Sequence, residues 1–323
     1  MNVLVTGGAG YLGSVVSRAL LARGHEVQVL DALLYGGHAL LGCYQDERFR
    51  FIRGDIRSAA DIGRALEGVE AVVHLAAIVG DPACARQPDL ARAVNLEASL
   101  QLFEASRRQG VARFIFASTC SNYGRMAEGS GLLTEESELA PVSLYAETKV
   151  AVERSLLASS NGRGMAATVL RFATVFGLSP RMRFDLTVNE FTMELLTKRK
   201  VIVYGEQFWR PYIHVRDAAE AVALVLEQPA ETVGTQAFNA GDTTQNFQKG
   251  QLVELIRAQI GNHVQIERVQ KTEDPRDYRV SFEKIRRRLG FRIKYPVEAG
   301  IREIIEAISQ GVVANFDDPN YRN

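Results

Sequence analysis

Two side chains four residues apart, Tyr145 and Lys149, have the types and the spacing needed to move a proton to or from an alcohol. They open a helical pattern that follows Pro141 and the candidate cap Ser143, and an i, i+4 pair shares one helical face. A free phenol ionises near pH ~10, but a neighbouring ammonium favours the phenolate. Such a phenol can exchange a proton with a substrate hydroxyl while the carbon of that hydroxyl gives up hydride. The same spacing is common on ordinary exposed helices, so the assignment depends on the surrounding elements.

The strand pattern before this helix delivers hydroxyl groups to the same region. Its apolar residues, Phe114 to Ala117, lead directly into Ser-Thr-Cys-Ser. In open parallel sheets, ligands bind outside the carboxyl ends of the strands. We therefore expect Thr119 to hold the reacting oxygen beside Tyr145.

A glycine-rich segment near the N-terminus has the pattern of a diphosphate-binding turn. A short apolar strand pattern runs into Gly7-Gly8-Ala9-Gly10-Tyr11-Leu12-Gly13 and then into a helical pattern. Glycine lets the backbone turn sharply and approach phosphates without a Cβ clash, while the free N–H groups and the dipole of the helix attract negative charge. The alternative is a glycine-rich turn that binds nothing, and the acidic residue downstream argues against it.

That acidic residue is Asp31, which follows the second strand pattern. A carboxylate at this point can accept hydrogen bonds from both ribose hydroxyls and repels a ribose phosphate, which favours NAD over NADP. The alternative is that Asp31 only caps a loop.

The third and fourth strand patterns end at the same sheet edge. Asp55 and Ile56 follow the third, and His74-Leu75-Ala76-Ala77 ends the fourth. We expect His74 to be a packed, hydrogen-bonded side chain, because that is the usual state of a lone histidine ending a buried strand.

The order of the patterns predicts an α/β fold with a Rossmann-type doubly wound parallel sheet and a smaller C-terminal α/β substrate-binding domain. We predict a boundary near Ala173, with residues 1–173 binding NAD and residues 174–323 binding substrate, and a segment near 212–240 returning to the first domain. The predicted strands are Asn2 to Val5, Val27 to Leu30, Phe51 to Ile52, Ala71 to His74, Phe114 to Ala117 and Thr168 to Leu170. The predicted helices are Ser14 to Arg23, Ala60 to Leu66, Leu90 to Gln109 and Leu144 to Ala158.

Composition argues against several other classes of protein. Lys+Arg and Asp+Glu both number 38 among 323 residues, so nucleic acid is not an expected partner. We expect no membrane span, because no apolar stretch approaches the required length, and we expect a cytoplasmic protein. Three cysteines without paired spacing and five scattered histidines predict neither disulfides nor a metal site. The tail from Asn315 to Asn323 is expected to fray.

Together the motifs resemble the extended short-chain dehydrogenase/reductase family, and more narrowly its NAD-dependent nucleotide-sugar epimerases and dehydratases, including the UDP-glucose 4-epimerases. In chain order they are Thr-Gly-Gly-Ala-Gly-Tyr-Leu-Gly, Asp31, His-Leu-Ala-Ala, Ser-Thr-x-x-x-Tyr-Gly and Tyr-x-x-x-Lys. Segments 170–172, 210–217 and 274–276 also look like family segments in the right order. The resemblance therefore extends from Met1 to about Phe291.

The resemblance implies a role for each matching residue. The implied catalytic residues are Thr119, Tyr145 and Lys149. The implied NAD-binding residues are Gly7, Gly10, Tyr11, Leu12, Gly13, Asp31, Asp55, Ile56, Leu75, Ala76, Ala77, Tyr145, Lys149 and Phe172. The implied contacts to a nucleoside diphosphate sugar are Thr119, Thr174, Arg210 and Arg276, with the two arginines on the diphosphate. Either arginine could instead be a surface ion-pair residue. The resemblance also implies a homodimer built from the two longest predicted helices.

Three departures from the family pattern bear on the substrate and the reaction. Thr174 stands where many members have asparagine, Pro211 stands where an acidic residue is usual, and Cys120-Ser121 replaces the acidic pair of the dehydratases. The departures leave the identity of the sugar open. We expect an epimerase that oxidises a sugar and returns the hydride to the other face, and, because Cys120-Ser121 replaces the acidic pair, we do not expect a 4,6-dehydratase. The alternatives are a keto-sugar reductase with the same residues and, less favoured, a non-catalytic dinucleotide sensor, which would not need Tyr145 and Lys149.

Overall fold

A parallel sheet of seven strands lies at the centre of the computed structural model, which describes residues 1–126, 131–159, 164–272, 274 and 276–323. Across this sheet the strand order is β10-β6-β5-β4-β1-β2-β3, which is the doubly wound order expected for a Rossmann-type sheet. The described strands are β1 (Asn2–Thr6), β2 (Glu26–Asp31), β3 (Phe49–Arg53), β4 (Ala71–His74), β5 (Arg113–Thr119), β6 (Ala166–Phe172), β7 (Thr174–Phe176), β8 (Lys200–Tyr204), β9 (Trp209–His214), β10 (Gln236–Ala240), β11 (Asn246–Gln248) and β12 (Gln265–Val269).

Helices cover both faces of this sheet, and the six strands and four helices predicted from the sequence are confirmed within a few residues at each end. The helix predicted from Leu90 to Gln109 consists of two α-helical pieces joined by a π-type turn at Ala93–Ala98. The described α-helices are α1 (Tyr11–Ala22), α2 (Ala59–Ala65), α3 (Asp81–Arg86), α4 (Pro88–Arg92), α5 (Ser99–Arg108), α6 (Leu144–Ser159), α7 (Thr187–Thr197), α8 (Val215–Glu227), α9 (Ala230–Val233), α10 (Lys249–Ile260), α11 (Glu283–Leu289) and α12 (Val297–Ser309).

Two apolar cores hold the helices to the sheet. On one face, α1 and α8 bury residues such as Leu20 and Val222 against β1 and β2. On the other face, α2, α5 and α6 bury residues such as Ile62, Leu102 and Leu156 against β4, β5 and β6. Both faces are covered, and for this reason the strands read as continuous apolar runs rather than as alternating ones. The fold class predicted from the sequence is confirmed.

The second half of the chain forms a smaller layer of short sheets and helices. Strands β11, β9 and β7 form a three-stranded sheet, and β12 pairs with β8 in parallel. Helices α7, α10 and α12 pack around them through residues such as Phe191, Ile256 and Ile301. Strand β10 lies in this half of the chain but pairs with β6 at the edge of the central sheet. The division into an NAD-binding and a substrate-binding domain at residue 173 stays a prediction.

A buried ion pair fixes the rotation of α6. The Arg171 guanidinium on β6 donates to Glu153 Oε1 on α6, with Nε at 2.9 Å, and both side chains are almost fully buried. The second Glu153 oxygen accepts from Ser118 Oγ at 3.0 Å and from Asn122 Nδ2 at 3.3 Å. Arg171 Nη1 also donates to Tyr123 Oη at 2.8 Å. Helix α6 is thereby tied to the ends of β5 and β6.

The tail does not fray as the sequence analysis expected. The ring of Tyr321 packs edge-on against Phe184, with 5.5 Å between centroids, and its backbone oxygen accepts from Phe184 N at 2.9 Å. The amide of Asn323 donates to Asp185 Oδ2 at 3.2 Å. A polar composition predicted a loose end, but two aromatic contacts with Phe184, from Phe316 and Tyr321, and backbone hydrogen bonds order the described tail.

We predict that Glu153→Ala destabilises the protein strongly, because it leaves the Arg171 charge buried and unpaired. Breaking a buried pair in this way costs about 3–5 kcal/mol in the free energy of unfolding. The matched control is Glu194→Ala, because Glu194 on α7 forms an i, i+4 pair with Lys198, the exposed residue that follows the helix. Such pairs contribute only about 0.3–0.5 kcal/mol. Urea unfolding of the three proteins measures the difference. Similar small losses in both variants would contradict this role for Glu153.

Candidate active site

A cleft of about 800 Å³ lies at the carboxyl edge of the central sheet, between the sheet and the smaller layer. Every residue that the sequence analysis assigned to catalysis, NAD or substrate lines it. The assigned residues are Gly7, Gly10, Tyr11, Leu12, Gly13, Asp31, Asp55, Ile56, Leu75, Ala76, Ala77, Thr119, Tyr145, Lys149, Phe172, Thr174, Arg210 and Arg276. The structure therefore brings the whole predicted set together, and the role of each residue stays a proposal.

The glycine-rich turn presents the bare N-terminus of α1 to this cleft. Gly7 has a φ of +73°, and a Cβ there would lie 2.7 Å from Ala76 N. A Cβ on Gly13 would overlap the carbonyl oxygen of Gly7. Gly10 is the N-cap of α1, makes no side-chain cap hydrogen bond, and is followed by no acidic residue in the first turn. Such a helix end suits the diphosphate of a dinucleotide.

Asp31 lies at the end of β2 beside this turn. Its Oδ2 accepts from Ala9 N at 3.0 Å and its Oδ1 accepts from Leu33 N at 2.7 Å. Burial raises the pKa of the carboxyl above its usual value, against the lowering effect of these two N–H groups. Each carboxylate oxygen accepts more than one hydrogen bond, so both can still receive ribose hydroxyls.

Lys149 and Tyr145 lie on one face of α6, as the spacing predicted. Lys149 Nζ donates to Ala117 O at 2.8 Å and lies 5.9 Å from the centroid of the Tyr145 ring. Burial lowers the pKa of Lys149 to about 8. Burial also raises the pKa of Tyr145 above the ordinary phenol value. Burial is the largest influence on this phenol and opposes its charged form, while the positive charge of Arg183 lowers the pKa. The expectation that the Lys149 ammonium favours the phenolate stays a prediction.

The side chains of the three residues from Thr119, the last residue of β5, to Ser121 point in alternating directions. Thr119 and Ser121 line the cleft, and Thr119 Oγ1 accepts from Ser121 N at 3.1 Å. Cys120 is fully buried in the core, where its thiol donates to Arg171 O at 3.2 Å and where burial raises its pKa. Ser121 Oγ lies 3.3 Å from Tyr278 Oη. The thiol is therefore a core side chain and does not face the cleft.

Basic side chains gather at the end of the cleft that is predicted to bind substrate. Arg210 is buried and lies 2.8 Å from Asp274 Oδ2, and Lys249 Nζ lies 3.3 Å from the same oxygen. Arg276 is partly exposed, and its Nη1 lies 3.0 Å from Asp81 Oδ2. Three cations thus face two carboxylates, which leaves positive charge available for an anionic group. Arg210 and Arg276 both form ion pairs, which was the alternative to substrate binding. Arg210 is buried, so it is not a surface ion-pair residue.

His74 has the structural role that the sequence analysis expected. Its Nδ1 is 2.7 Å from Thr6 Oγ1 and its Nε2 is 2.9 Å from Ser99 Oγ. Burial lowers the pKa of the imidazole to about 3. The ring is therefore neutral, hydrogen-bonded at both nitrogens, and occupied in holding β1, β4 and α5 together.

The cleft is also lined by residues that the sequence analysis did not assign, among them Arg181, Lys249 and Tyr278. Lys249 and Tyr278 carry no local sequence signal, because their elements reach the cleft only through the tertiary fold. Arg181 begins an alternation of polar and apolar residues, Arg-Met-Arg-Phe-Asp, that has the period of an extended segment with one face on the cleft.

Metal-binding clusters and membrane-spanning helices are both absent from the described ranges. No cluster of three or more His, Cys, Asp or Glu side chains there is placed to hold a metal ion. None of the described helices has both the length and the apolar character that crossing a membrane requires.

Comparison with known proteins shows what the chain is related to. Residues 3–241 match the model of the NAD dependent epimerase/dehydratase family. The chain is 29% identical to a UDP-glucose 4-epimerase of Corynebacterium glutamicum, over 95% of this chain and 94% of that protein. It is 32% identical to a dTDP-glucose 4,6-dehydratase of Streptomyces niveus, over 95% and 92%.

The fold also matches that of solved structures. The UDP-glucose 4-epimerase of Thermus thermophilus in complex with NAD superposes with a TM-score of 0.84 at 30% identity, over 97% of this chain and 100% of that one. The family match covers well over half of the chain, and the cleft carries the residues on which the resemblance was based. The chain is thus an NAD-dependent enzyme of the extended short-chain dehydrogenase/reductase type and belongs to the NAD dependent epimerase/dehydratase family.

Proposed function

We propose that this enzyme epimerises a nucleoside diphosphate sugar by oxidising a ring hydroxyl and then reducing the resulting ketone on its other face. The proposal rests on the combination of side chains that line one cleft. The cleft holds a glycine-rich turn suited to a diphosphate, Tyr145 and Lys149 on one helical face, and the hydroxyl of Ser121 close behind Thr119. These groups support reversible oxidation of an alcohol, and neither residue directly after Thr119 is an acid.

The side chains would act by moving one proton and holding the sugar still. Thr119 and Tyr145 would bind the reacting hydroxyl, and Tyr145 would take its proton when the carbon is oxidised and give it back on reduction. Lys149, held by Ala117 O, would support the charged form of the phenol. Bound NAD supplies the hydride acceptor and later the hydride donor. Arg210 and Arg276 would grip the substrate's diphosphate, so the sugar can turn while its anchor stays fixed.

The surroundings of the reacting hydroxyl argue against dehydration. Loss of water needs a base beside the ketone and an acid at the leaving hydroxyl. Directly after Thr119 stand Cys120, whose thiol is in the core, and Ser121, whose hydroxyl has only Tyr278 as side-chain partner among the described residues. A serine without an activating base is a poor proton carrier at neutral pH.

The proposal also includes a homodimer and a cytoplasmic location. Half-buried apolar side chains such as Leu96, Leu100 and Leu157 lie along the segment from α4 to α5 and on α6, which fits a homodimer built from these helices. The homodimer and the cytoplasmic location stay predictions.

We predict that Tyr145→Phe lowers turnover by about 10²- to 10⁴-fold, the usual contribution of a positioned proton carrier. The ring still packs in the variant, so the dissociation constant of NAD should not change. The matched control is Tyr44→Phe, because Tyr44 is 59% exposed and does not line the cleft. Turnover and NAD titration are measured on all three proteins. Near-normal turnover of Tyr145→Phe would mean that another group carries the proton.

We predict that NAD binds more tightly than NADP and that Asp31→Asn reduces this preference. The amide keeps the shape of the side chain and one acceptor but removes the charge that repels a ribose phosphate. Charged hydrogen bonds of this kind correspond to roughly 10- to 100-fold in affinity. Calorimetric titration of both cofactors measures the ratio. Equal affinities in the wild type would remove this role from Asp31.

We predict that a panel of UDP- and dTDP-hexoses incubated with the enzyme and NAD yields a sugar nucleotide of unchanged mass and new configuration. The reason is that both hydride and proton return to the sugar. Chromatography with mass spectrometry identifies the product. Steady formation of a product lighter by one water would establish a dehydratase instead. Stoichiometric reduction of NAD to NADH with release of a keto sugar, the reverse of a reductase reaction, would establish the reductase alternative.

A further inference from the structure

We propose that Arg181 closes over the diphosphate of the bound dinucleotide from the second half of the chain, opposite the glycine-rich turn. The proposal rests on NAD binding and not on the sugar chemistry proposed above. It assigns a cofactor-binding role to a residue that carried no motif in the sequence.

The segment that carries Arg181 is anchored on the first turn of α1. Ser179 Oγ donates to Tyr11 O at 2.6 Å and lies 3.3 Å from Ser14 Oγ. Tyr11 Oη donates to Gly177 O at 2.6 Å. These hydrogen bonds join residues far apart in the chain and place the following residues beside the helix N-terminus. Arg181 follows Ser179 by only two positions, so it is within reach of an anion bound there.

The direction of each side chain in this segment follows from its alternation. Met182 and Phe184 are buried in an apolar cluster that also contains Tyr11. Arg181, Arg183 and Asp185 point the other way and line the cleft. The apolar residues thus hold the segment down while the polar ones face the cofactor side.

Arg181 is the arginine of this segment whose charge is not neutralised. Arg183 forms a bidentate pair with Asp185, with Nε at 2.9 Å and Nη2 at 2.7 Å. Arg181 is 7% exposed and forms no ion pair with a carboxylate of the described residues. Its guanidinium carbon lies 4.1 Å from the centroid of the Tyr35 ring, Nη2 donates to Arg322 O at 3.0 Å, and Nε has no hydrogen-bond partner.

A buried, unpaired cation is unfavourable unless an anion is supplied. Burial lowers the pKa of Arg181 to about 10, with a contribution from neighbouring Arg183, so the guanidinium is still charged at neutral pH. Two features identify the anion as the dinucleotide's diphosphate. The stacked Tyr35 follows Asp31, the ribose-binding candidate, by four residues, and the first turn of α1 contains no acidic residue. The planar fork of arginine fits two phosphate oxygens.

The consequence for the reaction is retention of the cofactor. An epimerase needs the same NAD molecule in both half-reactions, and a contact from the second half of the chain would oppose its release. Arg210, Lys249 and Arg276 form a separate cluster around Asp274 and Asp81 at the substrate end. The diphosphate of NAD and the diphosphate of the substrate would therefore be bound by separate basic side chains.

The test measures dissociation constants by calorimetry for NAD, for ADP-ribose and for adenosine, which has no phosphate. The proteins are the wild type, Arg181→Gln, Arg181→Lys and the control Arg107→Gln, because Arg107 pairs with Glu104 on the surface of α5 and is 46% exposed. Arg181→Gln should weaken NAD and ADP-ribose by roughly 10- to 100-fold and leave adenosine unchanged. Arg181→Lys should be intermediate, since it keeps the charge but loses the fork. The control should match the wild type.

Three results would overturn the proposal. Equal weakening of adenosine would show that Arg181 only supports the fold. Unchanged NAD affinity together with weaker UDP binding to the NAD-loaded enzyme would assign Arg181 to the substrate. Unchanged affinity for all ligands would leave it without a binding role. If Arg181→Gln does not fold, the Arg181→Lys comparison decides by the same criteria.

Discussion

The buried ion pair between Glu153 and Arg171 is the constraint on which the chemistry of the cleft depends. Glu153 lies four residues beyond Lys149 and eight beyond Tyr145, so all three side chains share one face of α6. The pair and the hydrogen bond from Ser118 fix that face against the ends of β5 and β6. A rotation of α6 that moved the phenol away from the cleft would also break a buried charge pair, which is costly. Tyr145, the proposed proton carrier, is therefore held in place by Glu153, to which we assign no part in proton transfer.

The cleft itself depends on how the two halves of the chain meet at the N-terminus of α1. The backbone of Tyr11 belongs to the turn to which we assign the diphosphate, and its hydroxyl donates to Gly177 O in the second half of the chain. Asn189 on α7 adds hydrogen bonds to the Tyr11 hydroxyl and to Gly177 N, at 3.2 and 2.9 Å. Because the same short segment contacts both halves, the position of the smaller layer is set relative to the glycine-rich turn. This linkage explains why burial strongly raises the pKa of a tyrosine that the sequence analysis assigned to the cofactor.

The local sequence predicted those features that rest on short-range chemistry. The glycine-rich turn, Asp31 at a strand end and the pair on α6 each follow from backbone geometry and helical spacing, and their meeting at one edge follows from the rule for parallel sheets. The core position of Cys120 could not be assigned from the sequence, because an alternation of side chains cannot be assigned to a face without the neighbouring strands. Arg181, Tyr278 and the packed Tyr321 were missed, since each acquires its role from contacts with segments distant in the chain. The role of each cleft residue in binding and catalysis stays a prediction.

The central claim is that hydrogen leaves the sugar and returns to it within one closed cleft. The most direct measurement uses a nucleoside diphosphate hexose that carries deuterium on every ring carbon, incubated with the enzyme and NAD in ordinary water. The account predicts an epimer that retains all of its deuterium, because the hydride returns to the carbon that lost it and Tyr145 exchanges only the hydroxyl proton. Loss of deuterium to solvent beside the reacting carbon would show that carbon-bound protons are removed, as in dehydration, and would contradict the account.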